Sequence, residues 1–130
     1  MGRQTRMATP KPLKILVVDD EEIVRHTLEE FLNYLGHQAD SVEDGLSGLR
    51  ALENGHYDAA IVDIRMPGLD GISFLSRSKK MWPDLPIIIV TGHGSDETRE
   101  EAMQAGAFAF LAKPFRFDQI KDLMTNISSS

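Results

Sequence analysis

The sequence predicts an α/β fold: a doubly wound, five-stranded parallel sheet with helices on both faces. Three observations predict it. Short, nearly unbroken apolar runs rich in β-branched residues recur along the chain, as in strands buried on both faces. Segments with apolar residues at helical spacing separate these runs, and that alternation reads as a parallel sheet. The chain has 130 residues, 42% hydrophobic and 26% charged, the size and composition of one ordinary globular domain. A mainly disordered, collagen-like or coiled-coil chain is excluded.

Residues 1–12 are polar, hold Pro10 and Pro12, and read as a flexible N-terminal arm. Arg3, Arg6 and Lys11 lie there without the apolar stretch of a signal peptide. The domain is expected over 13–127. LKILVV (13–18) is the first strand, and Val24, Leu28, Phe31, Leu32 and Leu35 form one face of the first helix. HQADSV (37–42) is a weaker strand signal, followed by a helical stripe of Leu46, Leu49 and Leu52. AAIV (59–62) is the third strand; Ile72 and Leu75 start a shorter stripe that ends before Pro83. PIIIV (86–90) is the fourth strand. Residues 95–105 offer only Ala102, Met103 and Ala105 as anchors against Asp96, Glu97, Glu100 and Glu101, so the fourth helix should pack weakly. AFAFLA (107–112) is the fifth strand, and Ile120, Leu123, Met124 and Ile127 line a last helix at about 117–127. Gly36, Gly55 and Gly106 stand where helices should stop. Residues 128–130 are a tail. Right-handed crossovers leave few topologies, of which the flavodoxin-like order 2-1-3-4-5 is one of the two common ones.

The net charge of −6 disfavours nonspecific nucleic-acid binding, which needs clustered Lys and Arg. Cysteine is absent, so disulfides, thiol catalysis and Cys-ligated metals are excluded. No apolar run approaches the roughly 20 residues of a membrane span. A cytoplasmic protein without direct nucleic-acid or membrane contact is expected.

Ligands of open α/β sheets bind beyond the carboxyl ends of the strands. Asp19, Asp20 and Glu21 follow the first run, Asp63 the third, Thr91 and Gly92 the fourth, and Lys113 and Pro114 the fifth. Singly, each has a plain structural reading as a helix cap, turn residue or solvated cation. Jointly they place three aspartates, a hydroxyl and an ammonium on one sheet edge. Two carboxylates about 4 Å apart repel by about 4 kcal/mol at an effective dielectric of 20. Such a cleft protonates or recruits a hard cation, Mg²⁺ or Mn²⁺ given the oxygen-only donors. Metal, lysine and carboxylates together suit phosphoryl transfer, with an aspartate able to act as the nucleophile.

The stretches LKILVVDDE (13–21), YDAAIVDIRMPGLDG (57–71), PIIIVTGHGSD (86–96) and AGAFAFLAKPF (105–115) together resemble the receiver domain of two-component response regulators. The resemblance extends over about 13–127 and implies a chemotaxis-regulator-like (α/β)5 receiver. By it, Asp63 is the phosphoacceptor. Asp20 binds Mg²⁺ directly, Asp19 usually acts through water, and the main-chain carbonyl of Arg65 is a further ligand. Thr91 is the switch hydroxyl, Lys113 the cation that pairs with the phosphoryl group, and Phe110 the aromatic switch position. Lys113–Pro114 is expected to be cis. Arg65 and His93, two residues after Asp63 and Thr91, either tune the phosphoryl lifetime or are solvated loop residues. Phe110 is either a moving switch or core. The fourth helix is either part of a switch surface or an ordinary solvated helix. His26, His37 and His56 show no ligand spacing.

The resemblance implies a histidine kinase or histidine phosphotransfer protein as donor, and an output domain or effector protein as receiver of the signal. The stretches 91–94 and 113–115 resemble receivers of transcriptional activators. A stand-alone receiver and a receiver cut from a longer regulator both remain open, the short last helix slightly favouring the second. Two rival readings are an aspartyl-phosphate phosphohydrolase using Mg²⁺ and a flavin binder. The first typically needs a second aspartate two residues after the nucleophile, where this chain has Arg65. The second needs a phosphate-cradling loop after the first strand, where Asp19 and Asp20 would repel a phosphate.

Overall fold

The computed structural model describes residues 11–92 and 96–129, the side chain of Asp96 excepted. Five strands and five helices alternate: β1 (Lys14–Val18), α1 (Glu22–Tyr34), β2 (Gln38–Val42), α2 (Gly45–Asn54), β3 (Ala59–Asp63), α3 (Gly71–Met81), β4 (Ile87–Thr91), α4 (Asp96–Gln104), β5 (Ala109–Ala112) and α5 (Phe117–Ser128). The strands form one parallel sheet in the order β2-β1-β3-β4-β5, as the sequence predicts.

Burial explains which strands were easiest to read. β3 and β4 are buried at every position, and β1 at all but Lys14, so both faces demand apolar side chains. β2 is an edge strand with no fully buried residue. Its polar QADSV therefore gave only a weak signal. β5, the other edge, begins at Ala109, two residues later than the apolar run. Ala107 is buried all the same, and its N–H closes on the α4 carbonyl of Ala102.

The sheet separates two apolar layers. On one side Leu16, Val18, Val62, Ile87 and Ile89 pack with Leu52, Phe74, Leu75 and Ala102 of α2, α3 and α4. On the other, Ile15, Val17, Ile61, Ile88 and Val90 pack with Leu28 and Leu32 of α1 and Ile120, Met124 and Ile127 of α5. The helical stripes hold with two corrections. Leu46 is exposed, because it faces out at the start of α2 while Leu49 and Leu52 turn inward. Phe74, outside the predicted stripe, is fully buried beside Leu75 and fills the space left by Gly48. α4 buries Ala102 and leaves Met103 exposed, in line with its predicted weak anchoring. Lys113–Pro114 is cis, as expected. α5 runs one residue past its predicted end, and the Ser128 hydroxyl donates to the carbonyl of Lys11.

Candidate functional site at the carboxyl edge of the sheet

Register brings the strand ends together. Val18 pairs with Val62 and Asp63 with Val90, while Thr91 pairs with Ala112. The residues one step further on, Asp19 and Lys113, therefore reach the same edge as Asp63 and Thr91. Backbone bonds hold this rim: Asp19 N–H to Val42, Ile64 N–H to Val90, and Lys113 N–H to Thr91.

The loop after β3 is closed tightly behind Asp63. Asp70 caps α3 by accepting the Ser73 N–H at 2.8 Å, a stabilising use of an aspartate at a helix start. The Gly71 N–H donates to the carbonyl of Ile64 at 2.9 Å. A Cβ on Gly71 would lie 2.5 Å from the carbonyl oxygen of Asp63 and 2.6 Å from the Cα of Ile64. Only glycine lets α3 begin against the backbone that carries Asp63.

Asp63 and Asp19 are buried, with side chains 6% and 3% exposed. The Lys113 ammonium, 14% exposed, stands 3.1 Å from Asp19 Oδ2 and 3.5 Å from Asp63 Oδ2. Its shortest contact is to Glu21 Oε1, at 2.8 Å. Burial, and then the charge of Asp19, push the Asp63 carboxyl above the usual range, against the pull of Lys113. Burial does the same to Asp19, opposed by the Glu21 N–H and by Lys113. Burial works against the Lys113 charge, but its carboxylate partners outweigh it and hold the ammonium more firmly than in water. The hydrogen bond to Lys113 lowers the Glu21 carboxyl. Raised acids beside a firmly charged lysine make this cleft the candidate functional site.

One carboxylate oxygen from each of Asp19, Asp20, Glu21 and Asp63 lies within 4.8 Å of the others. Asp20 is exposed and has no hydrogen-bond partner among the described residues. An all-oxygen set with one unpaired carboxylate at its mouth fits a hard divalent cation.

Thr91 is fully buried, and it lines this cleft together with Asp20, Glu21, Asp63, Arg65, Gly92 and Lys113. Arg65 is exposed, and its main-chain N–H works against the rise of the Asp63 carboxyl. Phe110 is half-buried against the α2–α3–α4 layer, in register with Ile89. His93 lies outside the described residues. Three participants escaped the sequence reading. The sequence shows Glu21 only as a strand-end acid, although its place directly after Asp19 and Asp20 marks it as a neighbour of the cleft. Arg25, one turn into α1, donates to the carbonyl of Asp19 at 2.6 Å. Gly71 gave no local signal.

Two buried carboxylates and a lysine thus meet at the carboxyl edge of a 2-1-3-4-5 sheet, with two exposed acids beside them. The family model of the response regulator receiver domain matches residues 15–125, and the chain belongs to that family of two-component signalling proteins. It is 33% identical over 109 residues to the two-component response regulator PhoP of Pseudomonas aeruginosa, covering 84% of this chain and 48% of that protein. It is 40% identical over 105 residues to the DNA-binding transcriptional regulator NtrC of Escherichia coli, covering 81% of this chain and 22% of that one. The chain thus spans half or less of these two relatives. Among solved structures it is similar to the receiver domain of a sensor histidine kinase from Pseudomonas aeruginosa, which holds a magnesium ion in its active-site cleft. The TM-score is 0.83 with 31% identity, covering 92% of this chain and 100% of that one.

Proposed function

We propose that this receiver domain takes a phosphoryl group onto Asp63 from the phosphohistidine of a histidine kinase or phosphotransfer protein. The observation that carries the reading is the placement of the buried Asp63 carboxylate 3.5 Å from the Lys113 ammonium, inside a set of four acids. An Asp63 oxygen forms the new P–O bond as the donor's P–N bond breaks. The imidazole leaves with the electron pair and takes up a proton. Lys113 balances charge on the phosphoryl oxygens, and Thr91 supplies a hydroxyl at the same edge. Asp20, Asp19, Asp63 and the main-chain carbonyl of Arg65 would hold Mg²⁺ (or Mn²⁺), which neutralises phosphoryl oxygens when bound. The magnesium in the related sensor-kinase receiver supports that assignment.

The added charge draws Thr91 and Lys113 inward, and the surface of α4, β5 and α5, with Phe110 as its aromatic element, rearranges. Arg65, exposed at the rim, tunes access of the hydrolysing water. An output domain or effector protein reads the change; the longer relative NtrC, a DNA-binding transcriptional regulator, is in keeping with that reading. No described helix is long and apolar enough to cross a membrane, and a cytoplasmic site of action suits the reading. A phosphohydrolase would want an acid where Arg65 stands.

Intact mass after incubation with acetyl phosphate tests the proposal. One phosphoryl adduct is expected, dependent on Mg²⁺ and absent from Asp63→Asn. Failure to form an adduct under any condition would overturn it.

A further inference from the structure

Glu21 occupies the helix N-cap position of α1 but makes no capping hydrogen bond with its side chain. Ser, Thr, Asp or Asn at that position would use a side-chain oxygen on the exposed helix amides; the longer Glu21 side chain is free for another partner. Here the carboxylate reaches across the cleft to Lys113, 92 residues away in sequence, and makes the shortest of that ammonium's three contacts. Asp63 is the most distant of the three. The Glu21 side chain is 60% exposed, whereas Asp19 is buried, so Glu21 can let go without stranding a buried charge. Its main chain is anchored: the Glu21 N–H donates to Asp19 Oδ1 at 2.8 Å, and its carbonyl accepts the Arg25 N–H. A fixed backbone with a releasable carboxylate is a latch on the lysine.

We propose that Glu21 is a positioning residue that holds Lys113 away from the phosphoryl position, lowering the affinity of the cleft for a phosphoryl group. The inference rests on the phosphoacceptor reading above. A phosphoryl group on Asp63 needs the ammonium that Glu21 engages, so the two compete. An exposed carboxylate–ammonium contact corresponds to a factor of about two to five in an equilibrium. Removing Glu21 should therefore favour the phosphorylated geometry by about that factor.

The test uses beryllofluoride, a phosphoryl mimic, with saturating Mg²⁺, and measures its dissociation constant by NMR titration. Glu21→Gln removes the charge. Glu21→Asp keeps the charge but shortens the side chain by one methylene, breaking the contact. Both variants should bind the mimic about two- to fivefold more tightly than wild type. That gain should vanish in a Lys113→Met background. The Lys113 ammonium resonance should sharpen less, or be lost, in both variants before the mimic is added. If Glu21→Asp behaves as wild type while Glu21→Gln tightens, general charge rather than Lys113 is responsible, and the proposal fails. It fails equally if neither variant changes the affinity while wild type binds. If wild type binds no mimic at all, the phosphoacceptor reading falls and takes this inference with it.

Discussion

Replacing Gly71 with alanine probes how the fold holds Asp63. The added methyl would sit 2.5 Å from the Asp63 carbonyl oxygen, 2.6 Å from Ile64 Cα and 3.1 Å from the Asp63 carbonyl carbon. Ordinary carbon contacts lie at about 3.5–4.0 Å, so the clash is roughly 1 Å deep. All three neighbours are backbone, and none can rotate aside. Either the start of α3 lifts from the end of β3 or Asp63 moves. Overpacking of this kind costs about 1–3 kcal/mol, and alanine's better helix propensity returns less than about 1 kcal/mol. A net loss of about 2 kcal/mol is expected, lowering Tm by about 6–12 °C for a domain of this size. Urea unfolding gives the stability, and the rate of labelling by acetyl phosphate gives the effect on Asp63. A 1 Å displacement of the nucleophile should slow labelling by about tenfold or more. Gly92→Ala is the control, since a Cβ there meets nothing within 4 Å among the described residues and stability should change by less than about 0.5 kcal/mol. Gly71→Ala with wild-type stability and labelling rate would refute the packing argument.

Other consequences follow from named contacts. Lys113→Met strands the buried Asp19 and Asp63 carboxylates, and should cost about 3 kcal/mol at neutral pH without divalent cations. Both acids are raised by burial, so that loss should shrink as falling pH neutralises them; a pH-independent loss would contradict the electrostatic account. His37 is buried, and its Nδ1 accepts the Leu13 N–H at 3.0 Å. Burial lowers its pKa, so the unfolded chain binds the proton more readily. His37 therefore contributes stability fully above about pH 6.5, and loses it as pH falls from there toward the lower folded value. The slope is at most about 1.4 kcal/mol per pH unit, and His37→Leu should remove it from urea unfolding measured between pH 7 and 5.5. Hydrogen exchange should be faster in α4 than in α1, because α4 buries Ala102 whereas α1 buries Leu28 and Leu32. Equal protection would count against α4 as a mobile element.

Burial determined what could be read in advance. β1, β3 and β4 lie inside the sheet, so their residues had to be apolar on both faces and the strands were plain in the sequence. The edge strand β2 is under no such demand. The placement of Asp19, Asp63, Thr91 and Lys113 on one rim followed from the alternation of elements, since parallel strands all end on the same side. Side-chain choices within the rim did not follow. Whether Lys113 would turn to Asp63 or to Glu21 depends on distances of 3.5 and 2.8 Å, which no local pattern encodes. His37 carries no ligand spacing and so offered nothing; its role comes from the turn of chain that brings it over Leu13. Phe74 is buried and Leu46 exposed against the sequence pattern, because a stripe on a short helix is ambiguous by one position.

On the proposed function, Asp63 itself carries the phosphoryl group. Chemical mapping tests it most directly. The chain is labelled with acetyl phosphate and Mg²⁺, then reduced with borohydride, which converts an aspartyl phosphate to homoserine, and its peptides are sequenced by mass spectrometry. Homoserine at position 63, and at no other acid of the cleft, is the predicted result. Homoserine at Asp19, Asp20 or Glu21, or an unmodified position 63 in a chain that carries the adduct, would contradict it.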